Sequence, residues 1–240
     1  MSAKAIAGID VVIVDVLRAT TTIAYAVSRG ASVLPLADEH EALARGAELG
    51  DRAILVGEHM GRRLPGFHCN NSKAELAAHE LAGKTVVITT TNGTKAVVAC
   101  AGAHRVIAGA ITNAGAVGRF LRGDDRHRAP LEGRCDQRDV AIVCAGRSTG
   151  ALALEDLLGA GAIAAAIAAH SDVWLADGTR VAHDVFVRAR DDLAAAIRSS
   201  DAAQDLIEQG NVADVIDAAV HDAHASVPVL QGAMFVAAGT

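Results

Sequence analysis

The chain has 240 residues, enough for one large domain or two smaller lobes, each able to bury a core. Hydrophobic residues make up 51% of it but aromatics only 2%, so that core must be built from Ala, Val, Leu and Ile. A formal charge of -6, with one Trp and one Tyr, excludes the basic, base-stacking surface of a nucleic-acid binder.

Val11 to Val14 is a continuous β-branched run, the pattern of a strand buried on both faces of a parallel sheet. It stops at Asp15. Arg18 follows, and Thr20, Thr21 and Thr22 open a helical pattern whose first turn the hydroxyls can cap. Ala31 to Leu36 reads as a second strand, Glu39 to Leu49 as a helix ended by Gly50, and Ala53 to Val56 as a third strand leading to Glu58 and His59. The stretch from Met60 to Ser72 has the Gly, Pro and Asn content of a loop, with Ser72 the N-cap of a helix over 73–81. Thr85 to Ile88 is a fourth strand and ends in Thr89-Thr-Thr-Asn-Gly-Thr94; a helix then runs to about Cys100. Arg105 to Ala108 is a fifth strand and Asn113 to Leu121 a helix.

From residue 123 to 138 the composition shifts to Gly, Asp, Arg, His and Pro, an exposed connection. It divides an N-terminal α/β lobe, 1–122, from a C-terminal one, 139–240, unless the two form one continuous unit. Val140 to Cys144 resumes the strand pattern, and Glu155-Asp156 opens an Ala-rich helix to about His170. Four more helices are expected over 179–190, 192–199, 201–209 and 212–220. A final extended pair, Val227-Pro-Val-Leu and Met234-Phe-Val, is expected at a sheet edge, where Pro228 is tolerated. The fold class is α/β, a mostly parallel or mixed sheet with helices on both faces. No charge-free apolar run reaches membrane-spanning length, no signal-peptide layout opens the chain, and the four Cys lack metal-knuckle spacing. A cytoplasmic protein with no membrane partner is expected; a homodimer is left open.

In an alternating βα chain the strand exits share one rim. That rim carries Asp15 and Arg18, then Glu58, then the Thr89–Thr94 turn, then Gly146 and Arg147 with Glu155 and Asp156 near. Carboxylates suit magnesium, and arginines with helix-start amides suit phosphate, so the combination points to metal-assisted phosphoryl chemistry. No Gly-x-x-x-x-Gly-Lys-Ser/Thr stretch is present. Cys144 has Gly150, not Arg, six positions on, unlike cysteine phosphatases; Leu17 stands where dehalogenase-type phosphatases place a second Asp.

Asp15-Val-Leu-Arg-Ala-Thr-Thr, Gly57-Glu58 with Pro65-Gly-Phe67 and Asn71-Ser72, Thr90-Thr-Asn-Gly-Thr-Lys95, and Cys144-Ala-Gly with Leu154-Glu-Asp-Leu157 occur in an order and spacing that resemble the 2-phosphosulfolactate phosphatase family of coenzyme M biosynthesis. The resemblance covers most of the chain. It implies a magnesium-dependent phosphatase converting (2R)-2-phospho-3-sulfolactate, a small anionic phosphoester, into 3-sulfolactate. The chain departs from the family pattern at His59, His68, Lys73 and Lys95, where Arg, Asp, Pro and Arg are usual.

Asp15 is expected as magnesium ligand or nucleophile, and Glu58 as ligand or general base. Arg18, Thr20, Thr91, Asn92, Gly93, Lys95 and Arg147 are the candidates for holding the phosphoester, and Glu155 and Asp156 complete the metal set. Each has a plainer reading. Asp15 and Arg18 could pair across a turn, Asn92-Gly93 could be an ordinary turn, and carboxylates at a helix start are favoured by its dipole. Arg18 is placed at the rim, where its loss should cost little stability. Two other functions fit the same residues: a small-anion binding or regulatory protein without chemistry, and a phosphotransferase to an alcohol.

Overall fold

The computed structural model describes residues 6–123, 139–169 and 173–239, so most of the expected 123–138 connection lies outside the described residues. The first strand, β1 (Asp10–Val14), is buried along its whole length. Helix α1 (Ala19–Ser28) follows, then β2 (Ser32–Pro35), α2 (Glu39–Leu49), β3 (Ala53–His59) and the two-residue β4 (Arg62–Arg63). Next come α3 (Lys73–Leu76), β5 (Thr85–Thr89), α4 (Gly93–Ala99), β6 (Arg105–Gly109) and α5 (Ala114–Arg122). After them stand β7 (Val140–Cys144), α6 (Leu154–Ala168), α7 (Asp177–Ala189), α8 (Leu193–Arg198), α9 (Asp201–Glu208) and α10 (Val212–Ala218). The hairpin β8 (Pro228–Gln231) and β9 (Met234–Ala237) completes the set.

Among the described residues nine strands form one mixed sheet in the order β4-β3-β5-β2-β9-β8-β6-β1-β7. Strands β3, β5 and β2 are parallel, as are β6, β1 and β7. Strands from both sides of the 123–138 stretch therefore share a single sheet. Alternation along β1 explains why both faces are covered. Val11 and Ile13 pack with Ile23 and Val27 of α1 and Val97 of α4. Val12 and Val14 pack on the other face with Val117, Leu158 and Ile163 of α5 and α6. A third cluster sets Ala42 of α2 against Leu34, Leu55 and Val87. The architecture is α/β with helices on both faces.

Two expectations are corrected. The closing hairpin is at the middle of the sheet, not at an edge: Phe235 pairs with Val33 of β2, and Val229 with Ile107 of β6. The reason is apolar burial. Phe235 is fully buried in the cluster shared by both halves, worth roughly 1.5–3 kcal/mol, and the hairpin covers two strand edges that would otherwise be open. Pro228 stands at the first residue of its strand, where a missing N–H is tolerated. The second correction is within 60–72, read as loop: Met60 and Gly61 both take positive φ (51° and 80°) and close a two-residue hairpin between β3 and the short strand β4. No helix among the described residues is long and apolar enough to cross a membrane.

Candidate active site

The site is built outward from the end of β1. The Thr20 hydroxyl accepts from Asp15 N (3.0 Å) and donates to Asp15 O (2.9 Å), while Thr21 Oγ1 donates to Val16 O (2.8 Å). The hydroxyl run thus closes the turn on its own backbone instead of capping α1. Asp15 Oδ1 accepts the Ala19 N–H, the first amide of α1, at 3.2 Å. Asp15 Oδ2 faces Gly93, where a Cβ would fall 2.7 Å from it and 2.6 Å from Ala19 Cβ. Only glycine lets the start of α4 come this close.

That approach is informative about the sheet. Strands β5 and β1 are separated in the order by β2, β9, β8 and β6, about 24 Å if the sheet were flat. The turn after β5 reaches Asp15 over α1, which packs across β2, β9, β8 and β6, strands whose directions alternate so that β2 and β6 run oppositely. The strand ends are then laced together. Glu58 Oε1 accepts from Thr91 N (2.8 Å) and Thr91 Oγ1 (3.0 Å), and its Oε2 accepts from Gly61 N (2.8 Å). Asn92 Nδ2 donates to Gly146 O (3.1 Å). Asp156, at the start of α6, accepts Gly146 N on Oδ2 (2.9 Å) and Val16 N on Oδ1 (2.8 Å).

Asp15, Glu58, Glu155 and Asp156 lie close enough to act on one another electrostatically. Burial pushes Asp15 up to about 6; the Ala19 N–H works against this, Glu58 and Glu155 add to it, and Arg18 opposes it. Asp156 is raised by burial and by Asp15, although its two backbone donors favour the charged form. Glu155 is raised by burial, against the pull of its own N–H, the Ser200 hydroxyl and Arg147. Excess negative charge is crowded around Asp15, a condition that a bound cation relieves.

The cations are disposed unevenly. Arg18 is not at the rim: it is 5% exposed, with NH1 donating to Asp214 Oδ2 and NH2 to Asn70 Oδ1, each at 2.9 Å. Arg147, in the loop after β7, donates to Asp205 Oδ2 at 2.6 Å. Lys95 is exposed on α4 and makes no ion pair among the described residues. Asp214 and Asn70 were not legible from the sequence, since one lies on a helix near the far end of the chain and the other in a loop with no pattern of its own.

Donor chemistry at Asp15 fits a hard cation such as magnesium, which keeps several waters and takes one or two carboxylates. A closed protein cage is absent: no group of three or more His, Cys, Asp or Glu among the described residues is arranged to hold a metal. Glu58 and Asp156 have both oxygens occupied by N–H or O–H donors, which leaves Asp15 Oδ2 and the Glu155 carboxylate as the candidates to ligate. Two surface clefts, of about 520 and 420 Å³, lie elsewhere, one beside Phe186 and Arg119 and the other beside His68 and His79.

A model of the family described as 2-phosphosulpholactate phosphatase matches residues 2–233. The chain belongs to this family. Proteins named "Probable 2-phosphosulfolactate phosphatase" are similar to it over most of their length. That of Symbiobacterium thermophilum is 39% identical over 89% of this chain and 88% of its own. That of Thermotoga maritima is 33% identical over 94% and 90%, and that of Thermus thermophilus 37% over 92% and 88%. Two of the four departures from the 2-phosphosulpholactate phosphatase pattern, His68 and Lys73, have local partners. His68 Nδ1 accepts the Leu55 N–H at 2.8 Å, an acceptor role that an Asp would also fill. Lys73, in the first helical position where Pro is common, pairs with Asp217 at 2.8 Å and lies over the Tyr25 ring. His59 is an exposed residue of the β3–β4 hairpin.

Proposed function

We propose that the chain hydrolyses (2R)-2-phospho-3-sulfolactate to 3-sulfolactate and phosphate with magnesium as cofactor, the phosphatase step of coenzyme M biosynthesis. Family membership supports the reaction class, that of a phosphoric monoester hydrolase. The observation that carries the reading is the crowding of Glu58, Glu155 and Asp156 around Asp15, beside the Thr91–Lys95 turn. Asp15 would hold magnesium through Oδ2, and the ion would supply charge neutralisation for the phosphoryl group and its attacking water.

The protein's own groups do the positioning. Glu58 fixes the Thr91 turn, and Asp156 ties Val16 to Gly146, so both are scaffold to the site rather than free bases. Lys95, and Arg147 on release from Asp205, would be the partners of a second anionic group of the substrate, with Lys95 supplying charge without the bidentate fork of Arg. Asn92 and the backbone of Gly93 border the same space. The test is an assay of the purified protein with phosphosulfolactate, phospholactate and an aryl phosphate. Phosphate release that EDTA abolishes and magnesium restores is expected. Release indifferent to EDTA would remove the metal, and phosphate binding without release would leave an anion-binding protein.

A further inference from the structure

Arg18 and Glu58 belong to one network of hydrogen bonds. Gly61, whose N–H donates to Glu58, accepts from Asn70 Nδ2 on its carbonyl (2.9 Å), and Asn70 Oδ1 accepts from Arg18 NH2 (2.9 Å) and from Asn71 N (2.8 Å). On the other side of Arg18, Asp214 takes NH1 on Oδ2 and the Ser72 hydroxyl on Oδ1 at 2.7 Å. Asp214 is 4% exposed. Its carboxylate is thus held by two partners, and it in turn holds the guanidinium in one plane.

A guanidinium has five N–H donors, and these bonds use two. The remaining three are what a phosphoryl group can meet, and their direction depends on the plane that Asp214 and Asn70 impose. A buried ion pair is a poor stabilising device compared with apolar side chains of similar size. Its position, three residues past Asp15 and within the field that Asp15 feels, is where a fixed cation serves a phosphoester. One turn along the same helix, Asp217 pairs with Lys73, and both are partly exposed. That second pair docks α10 on the same segment without touching Arg18, which makes it a control for docking alone.

We propose that Asp214 is a positioning residue: it fixes the Arg18 guanidinium so that its free N–H donors receive the substrate's phosphate. The inference rests on the phosphatase reading above. The test compares the wild type with Asp214→Asn, Asp214→Glu, Ser72→Ala and Asp217→Asn in magnesium. It measures kcat and KM on phosphosulfolactate, direct calorimetric titration with inorganic phosphate, and thermal unfolding. Asp214→Asn is expected to lose about tenfold or more in kcat/KM and to weaken phosphate binding by a similar factor. Asp214→Glu should recover part of both, Ser72→Ala should shift both a few-fold in the same direction, and Asp217→Asn should leave both at wild-type values. A folded Asp214→Asn protein that binds phosphate as the wild type does would overturn the proposal, as would losses that Asp217→Asn shares in proportion to its melting temperature. If Asp214→Asn does not fold, Ser72→Ala decides, and unchanged phosphate affinity there overturns it. A wild type that binds phosphate but hydrolyses nothing sinks the phosphatase reading instead, while the titrations still judge Asp214.

Discussion

Two aspartates mark the two ends of β1, and they are charged under opposite regimes. Asp10 opens the strand, with Arg105 bonding both its oxygens (Nε at 2.8 Å) and His104 Nδ1 at 3.0 Å. Burial alone would raise its carboxyl, but the Arg105 and His104 bonds outweigh that and hold it below its ordinary value. Asp15 lies just beyond the other end, also buried, among carboxylates, and is pushed up to about 6. Enclosure is common to both; partners differ. The Asp10 end is built to be satisfied, whereas the Asp15 end keeps uncompensated negative charge and spends stability on a site.

The sharpest way to break this comparison is Asp15→Asn. Activity should fall by on the order of 10³ or more, because the substitution removes the group central to the cation site. Stability in EDTA near pH 7.5 should rise at the same time. A carboxyl held at about 6 instead of 3.8 costs the folded state on the order of 3 kcal/mol once ionised. The sign follows from proton binding. Between pH 3.8 and about 6 the folded state holds a proton that the unfolded state has released, so the Asp15 contribution is lost as pH rises. Thermal melts in EDTA at pH 5 and 7.5 check it; a destabilised Asp15→Asn protein would reverse the assignment of strain.

Asp10→Asn should do the opposite. It is expected to cost about 2–4 kcal/mol, less than a fully sealed pair because Arg105 and His104 still reach water, with kcat per folded molecule unchanged. Here the contribution is present above the ordinary carboxylate range and disappears as pH falls through the lowered value, so wild type and variant should converge in strong acid. Denaturant melts across pH read this directly.

Gly93→Ala sharpens the geometry of the Asp15 end. Its methyl must displace Asp15 Oδ2 or Ala19, so a loss of about 1–3 kcal/mol and on the order of 10²-fold in kcat is expected. Wild-type kinetics from this variant would mean that α4 does not set the position of Asp15. The smallest effect belongs to Lys95→Ala: a rise in KM of a few-fold, under about 1 kcal/mol, with no change in melting temperature, since the side chain is exposed. Lys95→Arg should lower KM if charge and fork geometry both matter there.

The sequence showed β1 and its Asp15 plainly, because an unbroken Val-Ile-Val run has one structural meaning and a carboxylate at its end is conspicuous. It showed that Asp15, Glu58 and the Thr89–Thr94 turn follow strands, but not how those exits meet. Across the central hairpin β2 and β6 run in opposite directions, so alternation of strand and helix does not by itself put the two halves' exits on one rim. It could not show that Arg18 is buried: the partner that buries it, Asp214, is 196 positions away. Nor did it show that the Thr20 and Thr21 hydroxyls turn back onto β1's own turn, since a hydroxyl's direction is chosen by the nearest unsatisfied backbone group. The place of β8 and β9 was hidden for a related reason. Each flanking contact, Val33 with Phe235 and Ile107 with Val229, is a single registered pair, too little to leave a periodic signature.

That central hairpin has a consequence for how the chain is made. Strands β2 and β6 leave the ribosome long before Phe235 and Val229, the residues they pair with, so each waits with an open edge while the rest of the chain is translated. The contacts that close the sheet are among the most distant in the sequence, which makes their formation late and slow. A nascent chain halted before residue 228 would carry two unpaired parallel half-sheets, each a template for pairing with another chain. The β8–β9 hairpin thus acts as the closure that turns a sticky intermediate into a continuous sheet.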